Sequence, residues 1–202
     1  MEEKQAVILL KKGDMDGLQY LVEKYQVKAV QAAYLILGDR NLAEDIVQSS
    51  FILIAEKIYQ FDIERPFGPW FYRIVVNASI KTAMREQKLV SIHSADEEKR
   101  IPYGLADPVR TLEEIVENTE TRREVWRAIC DLTLKQRTVL VLRYYLGMTN
   151  KEISLALGEP LSSVRWAIHA GYEKLRHLLS PIDPSRTGQE DISHEKSEED
   201  WK

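Results

Sequence analysis

The chain predicts an all-α fold of two small helical domains joined by an acidic, flexible linker. Apolar residues recur at helical spacing up to about residue 90 and again over 122–179, and no convincing strand-like alternation occurs. Over 91–121 the apolar density falls, Pro102, Gly104 and Pro108 interrupt, and acidic groups collect, which marks a tether. Hydrophobic residues make up 44% of the 202-residue chain, enough to bury a core in each half.

In chain order, a first helix ends near Gly13. A second runs from about Asp16 through Leu18, Leu21, Val22, Tyr25, Ala29, Val30, Ala33 and Ile36 to Gly38, which suits a C-terminal cap. Asn41 starts a third, with Glu44 three residues later as a capping-box-like pair and Val47, Phe51, Ile54 and Ile58 as its apolar stripe. After the turn FDIERPFGP a fourth begins at about Pro69, a good first-turn residue, and carries Trp70, Phe71, Ile74 and Ile80 inward. These four helices form the first domain, residues 1–90.

The linker, 91–121, accommodates a short helix near Leu112 to Val116. Helices resume in a second domain, 122–179, with Val125, Ile129 and Leu132 facing inward. Two capping boxes then set two helix starts, Thr133 with Gln136 and Thr149 with Glu152, and Gly147 and Gly158 fit the corresponding ends. Ser162 or Ser163 can cap a last helix that reaches Leu179 before Pro181. The tail, 180–202, is rich in charge and poor in apolar groups and is expected to be disordered.

The net charge of −4 conceals a strong asymmetry. Residues 1–90 balance 12 basic against 12 acidic groups, 91–121 hold 3 against 8, 122–179 hold 10 against 5, and 180–202 hold 3 against 7. The basic excess therefore sits in one compact segment, as expected of a module that meets DNA phosphates. Cys130 is the only cysteine, which rules out an internal disulfide and a paired-cysteine zinc site and reads as a small core residue. His93, His169, His177 and His194 lack metal-ligand spacing, so no metal and no cofactor is expected. The apolar run Ala6 to Leu10 is too short for a signal peptide or a membrane span, and a cytoplasmic protein is expected.

The strongest local signal is TNKEISLALGEPLSSVRWAIHAGYEKLR, residues 149–176, which reads as a helix-turn-helix. Ser154 is small where two helices approach, Gly158 supplies positive φ in the turn, and Ile153, Leu157, Val164 and Ile168 hold the helices together. The second helix would lie in the DNA major groove, with Ser162, Ser163, Arg165, Trp166 and His169 projecting early and Lys174 and Arg176 meeting phosphates later. Arg165 is the best candidate for a base contact, because its planar fork pairs with guanine or grips the backbone.

The stretch AEDIVQSSF, residues 43–51, followed by FDIERPFGPWFYRIVVNASIK, residues 61–81, resembles region 2 of the extracytoplasmic-function RNA polymerase sigma factors, and residues 122–179 resemble their region 4. The resemblance implies a factor that binds core polymerase and directs promoter recognition and melting. It implies that Glu44, Asp45 and Gln48, with Ser49 where a glutamate is common, grip the clamp of the largest polymerase subunit, while region 4 meets the flap of the second largest. By the same resemblance Phe61, Asp62, Ile63, Glu64, Arg65 and Phe67 shape a pocket for an extruded base of the minus-10 element, Arg73 and Asn77 face the melted strand, and region 4 binds the minus-35 element. An anti-sigma factor is a further partner the resemblance implies.

Promoter elements about 17 base pairs apart are separated by roughly 58 Å at about 3.4 Å per step. A tether of about 30 residues reaches roughly 100 Å extended but averages about 30 Å as a coil, so it must be drawn out when both elements are bound. Relatives often carry basic residues where this chain has Met84, Ala167, Ala170 and Tyr172, so DNA binding without the polymerase is expected to be weak. A stand-alone helix-turn-helix repressor or activator is the alternative, but no heptad or dimer helix accompanies the motif. An enzyme lacks support, since no nucleophile–base pair or phosphate loop is present.

Overall fold

A computed structural model describes residues 1–93 and 119–180, with side chains described for 1–86 and 124–180. Among them the chain forms α1 (Glu3–Lys11), α2 (Met15–Leu37), α3 (Arg40–Lys57) running into a 3-10 turn at Ile58–Gln60, and α4 (Phe67–His93). It continues with α5 (Thr119–Asp131), α6 (Leu134–Leu140) extended by a π-helical turn at Val141–Tyr145, α7 (Asn150–Leu157) and α8 (Leu161–Leu179). No strand occurs among the described residues. The short helix expected near Leu112–Val116, the rest of the linker core and the tail from Pro181 lie outside them.

Local chemistry explains most boundaries. The Asp14 carboxylate caps α2 by accepting from Asp16 N, and α2 closes at Gly38 with φ 78°. Both capping boxes form as expected, Thr133 with Gln136 on α6 and Thr149 with Glu152 on α7. Three starts differ from expectation. Helix α3 begins at Arg40 because Asp39, not Asn41, caps it by accepting from Leu42 N at 3.0 Å, and Glu44 pairs with Arg40 at 2.8 Å instead of closing a box. Helix α4 begins at Phe67, which leaves Pro69 within a first turn that tolerates it. Helix α8 begins at Leu161 after Pro160, and neither Ser162 nor Ser163 caps it.

The first half closes around an aromatic cluster. Tyr25 of α2 packs on Phe67, Phe71 and Tyr72 of α4 at ring separations of 5.3, 5.8 and 5.7 Å, with the expected stripe Val47, Phe51, Ile54 and Ile58 buried beneath. Helix α1 lies so close to α2 that a Cβ on Gly17 would collide with the Ala6 carbonyl oxygen and the Leu10 amide nitrogen. The second half buries Val139, Leu142, Ile153, Val164 and Ala167, and Gly171 lets α8 press against Leu140 of α6. The halves also pack on each other: Tyr34 of α2 stacks on Trp126 of α5, ring centroids 4.8 Å apart and planes 13° from parallel.

Candidate nucleic-acid and polymerase interface

The loop between the 3-10 turn and α4 is built by short-range bonds. Asp62 Oδ1 accepts from Glu64 N at 3.1 Å, Arg65 N donates to Asp62 O at 3.0 Å, and the Arg65 guanidinium sits 3.4 Å from the Asp62 carboxylate. Asp62, Glu64 and Arg65 are exposed and Ile63 is half-buried. Phe61 and Phe67 are not available at the surface: they are 5% and 1% exposed, and with Trp70, itself half-buried, they form the floor under the loop.

Sequence reasoning missed what holds this loop from the far side. The Glu3 carboxylate on α1 accepts from Lys24 Nζ at 2.7 Å, from the Tyr25 hydroxyl, and from Phe67 N at 3.4 Å, while Lys4 pairs with Glu64 at 2.8 Å. Burial opposes the charge on Glu3, but these donors together hold its carboxyl below the usual range. Burial and then the Glu3 bond push the Tyr25 hydroxyl well above its ordinary value, so it stays a donor. A glutamate in the first turn of a charged N-terminal helix carries no local signal of such a role; its partners are 21 to 64 residues away.

On α4, Arg73, Asn77, Lys81 and Arg85 are all exposed at four-residue spacing, so they form one stripe down the helix. Three of the four are cations, and Lys81 and Arg85 complete a pattern whose first two members the sequence had flagged. This stripe faces the other half of the molecule: Asn77 Nδ2 donates to Ala156 O of α7 at 3.4 Å. A groove of about 1070 Å³ lies between, with Asn77, Lys81 and Arg85 on one wall and Lys135 and Glu159 on the other.

On α3, Glu44, Asp45, Gln48 and Ser49 are exposed on one face, and Asp45 and Ser49 border a second groove shared with Asn77, Lys81 and Arg85 of α4. Ile52 continues that face and is 58% exposed. Its signal was present in the sequence, since Ile52 falls off the stripe Val47, Phe51, Ile54 and Ile58 and so is an apolar residue with no inward position to fill.

The helix-turn-helix closes through Gly158, whose φ of 66° is open to glycine, and through Ser154, whose hydroxyl donates to Glu159 O. Ser162, Arg165, Trp166 and His169 stand together on the exposed face of α8, Trp166 with 70% of its surface open. Three other expected contacts are engaged elsewhere. Ser163 is half-buried and bonds Lys135 and Glu159, Lys174 Nζ donates to Asp131 O at 2.6 Å at the C-terminus of α5, and Arg176 pairs with Glu173 at 2.6 Å. Ala167, where a basic residue is common in relatives, is 1% exposed and belongs to the core.

Comparison with known proteins settles the family. Models described as Sigma-70 region 2 and Sigma-70, region 4 match residues 21–89 and 122–175. The ECF RNA polymerase sigma factor SigW of Bacillus subtilis (strain 168) is 34% identical over 183 residues, which cover 89% of this chain and 97% of that protein. This chain belongs to the ECF RNA polymerase sigma factors. Such a sigma factor serves transcription initiation, and because the likeness to SigW spans both halves, the stand-alone regulator is not favoured. The fold is likewise similar to CnrH in its complex with the cytosolic domain of CnrY, at TM-score 0.61 and 22% identity over 88% of this chain and 96% of that one. It is similar to the sigma factor RpoE, in complex with the anti-sigma factor NepR from Bartonella quintana, at TM-score 0.65 and 16% identity over 82% and 97%. No helix among the described residues of the sigma factor is long and apolar enough to cross a membrane.

Proposed function

We propose that the sigma factor holds the clamp of the largest polymerase subunit with the α3 face Glu44, Asp45, Gln48, Ser49 and Ile52, and takes the melted minus-10 strand along the rim Asp62–Arg65 and the α4 stripe Arg73, Asn77, Lys81 and Arg85. Helix α8 reads the minus-35 element through Ser162, Arg165, Trp166 and His169. Region 4 also meets the flap of the second largest subunit. The observation that carries this reading is the adjacency of the first two surfaces: α3 and α4 share one groove, so polymerase on one wall places single-stranded DNA at the other. Extruding a base costs a few kcal/mol, and a rim already shaped by the Asp62 turn offsets part of that without further ordering.

The factor leaves phosphodiester chemistry to the polymerase and works with it in the cytoplasm. An anti-sigma factor restrains it, as NepR is found with RpoE. Run-off transcription with core polymerase tests the reading. Asp45→Ala with Gln48→Ala lowers core binding in a pull-down at unchanged helix content, and Arg73→Ala with Asn77→Ala reduces permanganate reactivity at the start site more than closed-complex formation. Normal binding in the first, or normal melting in the second, removes the corresponding surface.

A further inference from the structure

We propose that Glu3 is a positioning residue for the melted minus-10 strand: from α1 it caps the N-terminus of α4 and so fixes the Asp62–Arg65 rim against the α4 stripe. This role rests on the strand surface proposed above.

Helix α4 starts without a cap of its own. Pro66 precedes it and Phe67, Gly68, Pro69 and Trp70 fill its first turn, so no Ser, Thr, Asp or Asn side chain stands where a local acceptor would. Nor does an acidic residue in that turn offset the positive end of a 27-residue helix. The nearest carboxylates along the chain are engaged elsewhere: Asp62 shapes the loop by accepting from Glu64 N, and Glu64 pairs with Lys4. The acceptor comes instead from 64 residues away, where Glu3 Oε1 accepts from Phe67 N at 3.4 Å.

Helix α2 aims this carboxylate. Its other oxygen, Oε2, accepts from Lys24 Nζ at 2.7 Å and from the Tyr25 hydroxyl, which leaves Oε1 directed at α4. Gly68 makes room for the Tyr25 ring: a Cβ there would stand 3.2 Å from Tyr25 Cε1 and 3.3 Å from its hydroxyl oxygen, tighter than ordinary contact. Burial acts against the charge, yet the donors hold the Glu3 carboxyl below its usual range, so α4 meets an anion. The Lys4–Glu64 pair, exposed on both sides, adds little by itself. One carboxylate thus joins α1, α2 and α4 at the point where the rim turns into the helix that carries the stripe. Arg73 and Asn77 stand on that helix within about three turns of Phe67. If the first turn frays, rim and stripe move independently, and a strand that touches both binds only the fraction of molecules in which they are aligned.

The test uses the full chain, free and assembled with core polymerase. Glu3→Ala should speed amide exchange over residues 61–68 in the free protein. In the holoenzyme it should weaken binding of a fluorescein-labelled single-stranded minus-10 oligonucleotide by about three- to tenfold, at unchanged affinity for core. Glu3→Gln, which keeps an oxygen for Phe67 N, should restore most of both. Arg73→Ala with Asn77→Ala gives the reference loss for the strand surface. Unchanged exchange in Glu3→Ala overturns the cap whatever the strand does, and equal losses in Glu3→Ala and Glu3→Gln overturn the capping bond as their cause. Faster exchange with normal strand binding, while the reference variant binds weakly, overturns the positioning role. Faster exchange with normal strand binding in Glu3→Ala and the reference alike removes the strand surface and leaves the cap standing.

Discussion

At the scale of single residues, exposure separates side chains that reach outward from those that support them. Arg165 is exposed on the outer face of α8. Arg165→Ala should therefore lower transcription by about 1–3 kcal/mol on promoters whose minus-35 base it pairs with, or by less and uniformly if it meets phosphate. A panel of single minus-35 substitutions separates these outcomes, and no change on any promoter would remove α8 from recognition. Phe67 behaves differently. With 1% of its surface exposed and four aromatic rings packed around it, Phe67→Ala should cost about 3–5 kcal/mol of stability in urea unfolding, so any promoter-melting defect would follow from a damaged floor. Ile52 gives the opposite pattern, because replacing an exposed side chain leaves the core intact. Ile52→Ala should weaken core binding with a stability change within about 0.5 kcal/mol, measured by the same denaturant titration.

At the scale of elements, caps and close approaches set what the helices tolerate. Thr149 and Glu152 satisfy each other's orphan donors at the start of α7, and the backbone and hydroxyl bonds from Thr149 hold the Glu152 carboxyl below its ordinary pKa. A carboxylate whose folded pKa is depressed contributes stability that is present above its unfolded value and is lost as pH falls through the folded one. The acid limb of the stability curve, below about pH 4, should thus flatten in Glu152→Gln, which keeps the cap geometry without the charge. An unaltered acid limb in chemical denaturation at stepped pH would show that Glu152 does not contribute. At the other end of the chain, Gly17→Ala places a methyl against the backbone of α1, which has no flexible end to move. The substitution should displace α1, carrying Glu3 away from Phe67 N and loosening the Asp62–Arg65 rim at a distance. Faster amide exchange over residues 61–67 would report it; unchanged exchange there would exclude the connection.

At the scale of the molecule, charge and contact pull in different directions. The excess of cations over 122–179 attracts DNA, but the acidic linker and tail bring the total to −4, and Lys174 and Arg176 are engaged within the protein. Promoter fragments should shift in a gel only when core polymerase is added, and a shift of similar strength by the factor alone would contradict this balance. The stacked Tyr34–Trp126 pair and the Arg137 bonds also couple the two halves thermodynamically. Calorimetry of the free protein should show one unfolding transition that Tyr34→Ala separates into two.

Local chemistry was legible throughout. Helical periodicity, the two capping boxes, Gly38 and Gly158 as helix ends, and the outward face of α3 all follow from residues within a turn or two of one another, and they suffice for the fold class and family. Where neighbouring signals competed, the nearer carboxylate won: Asp39 capped α3 although Asn41 and Glu44 also matched a start pattern, because its oxygen reached Leu42 N. Three-dimensional proximity decided the rest. That Phe61 and Phe67 are buried beneath the 61–67 loop, that Glu3 holds that loop, that Lys174 closes α5, and that Arg137 joins two helix ends depend on partners up to 101 residues away. A side chain's residue type states what it can donate or accept. Which donor and acceptor meet across such separations is set by how the helices pack.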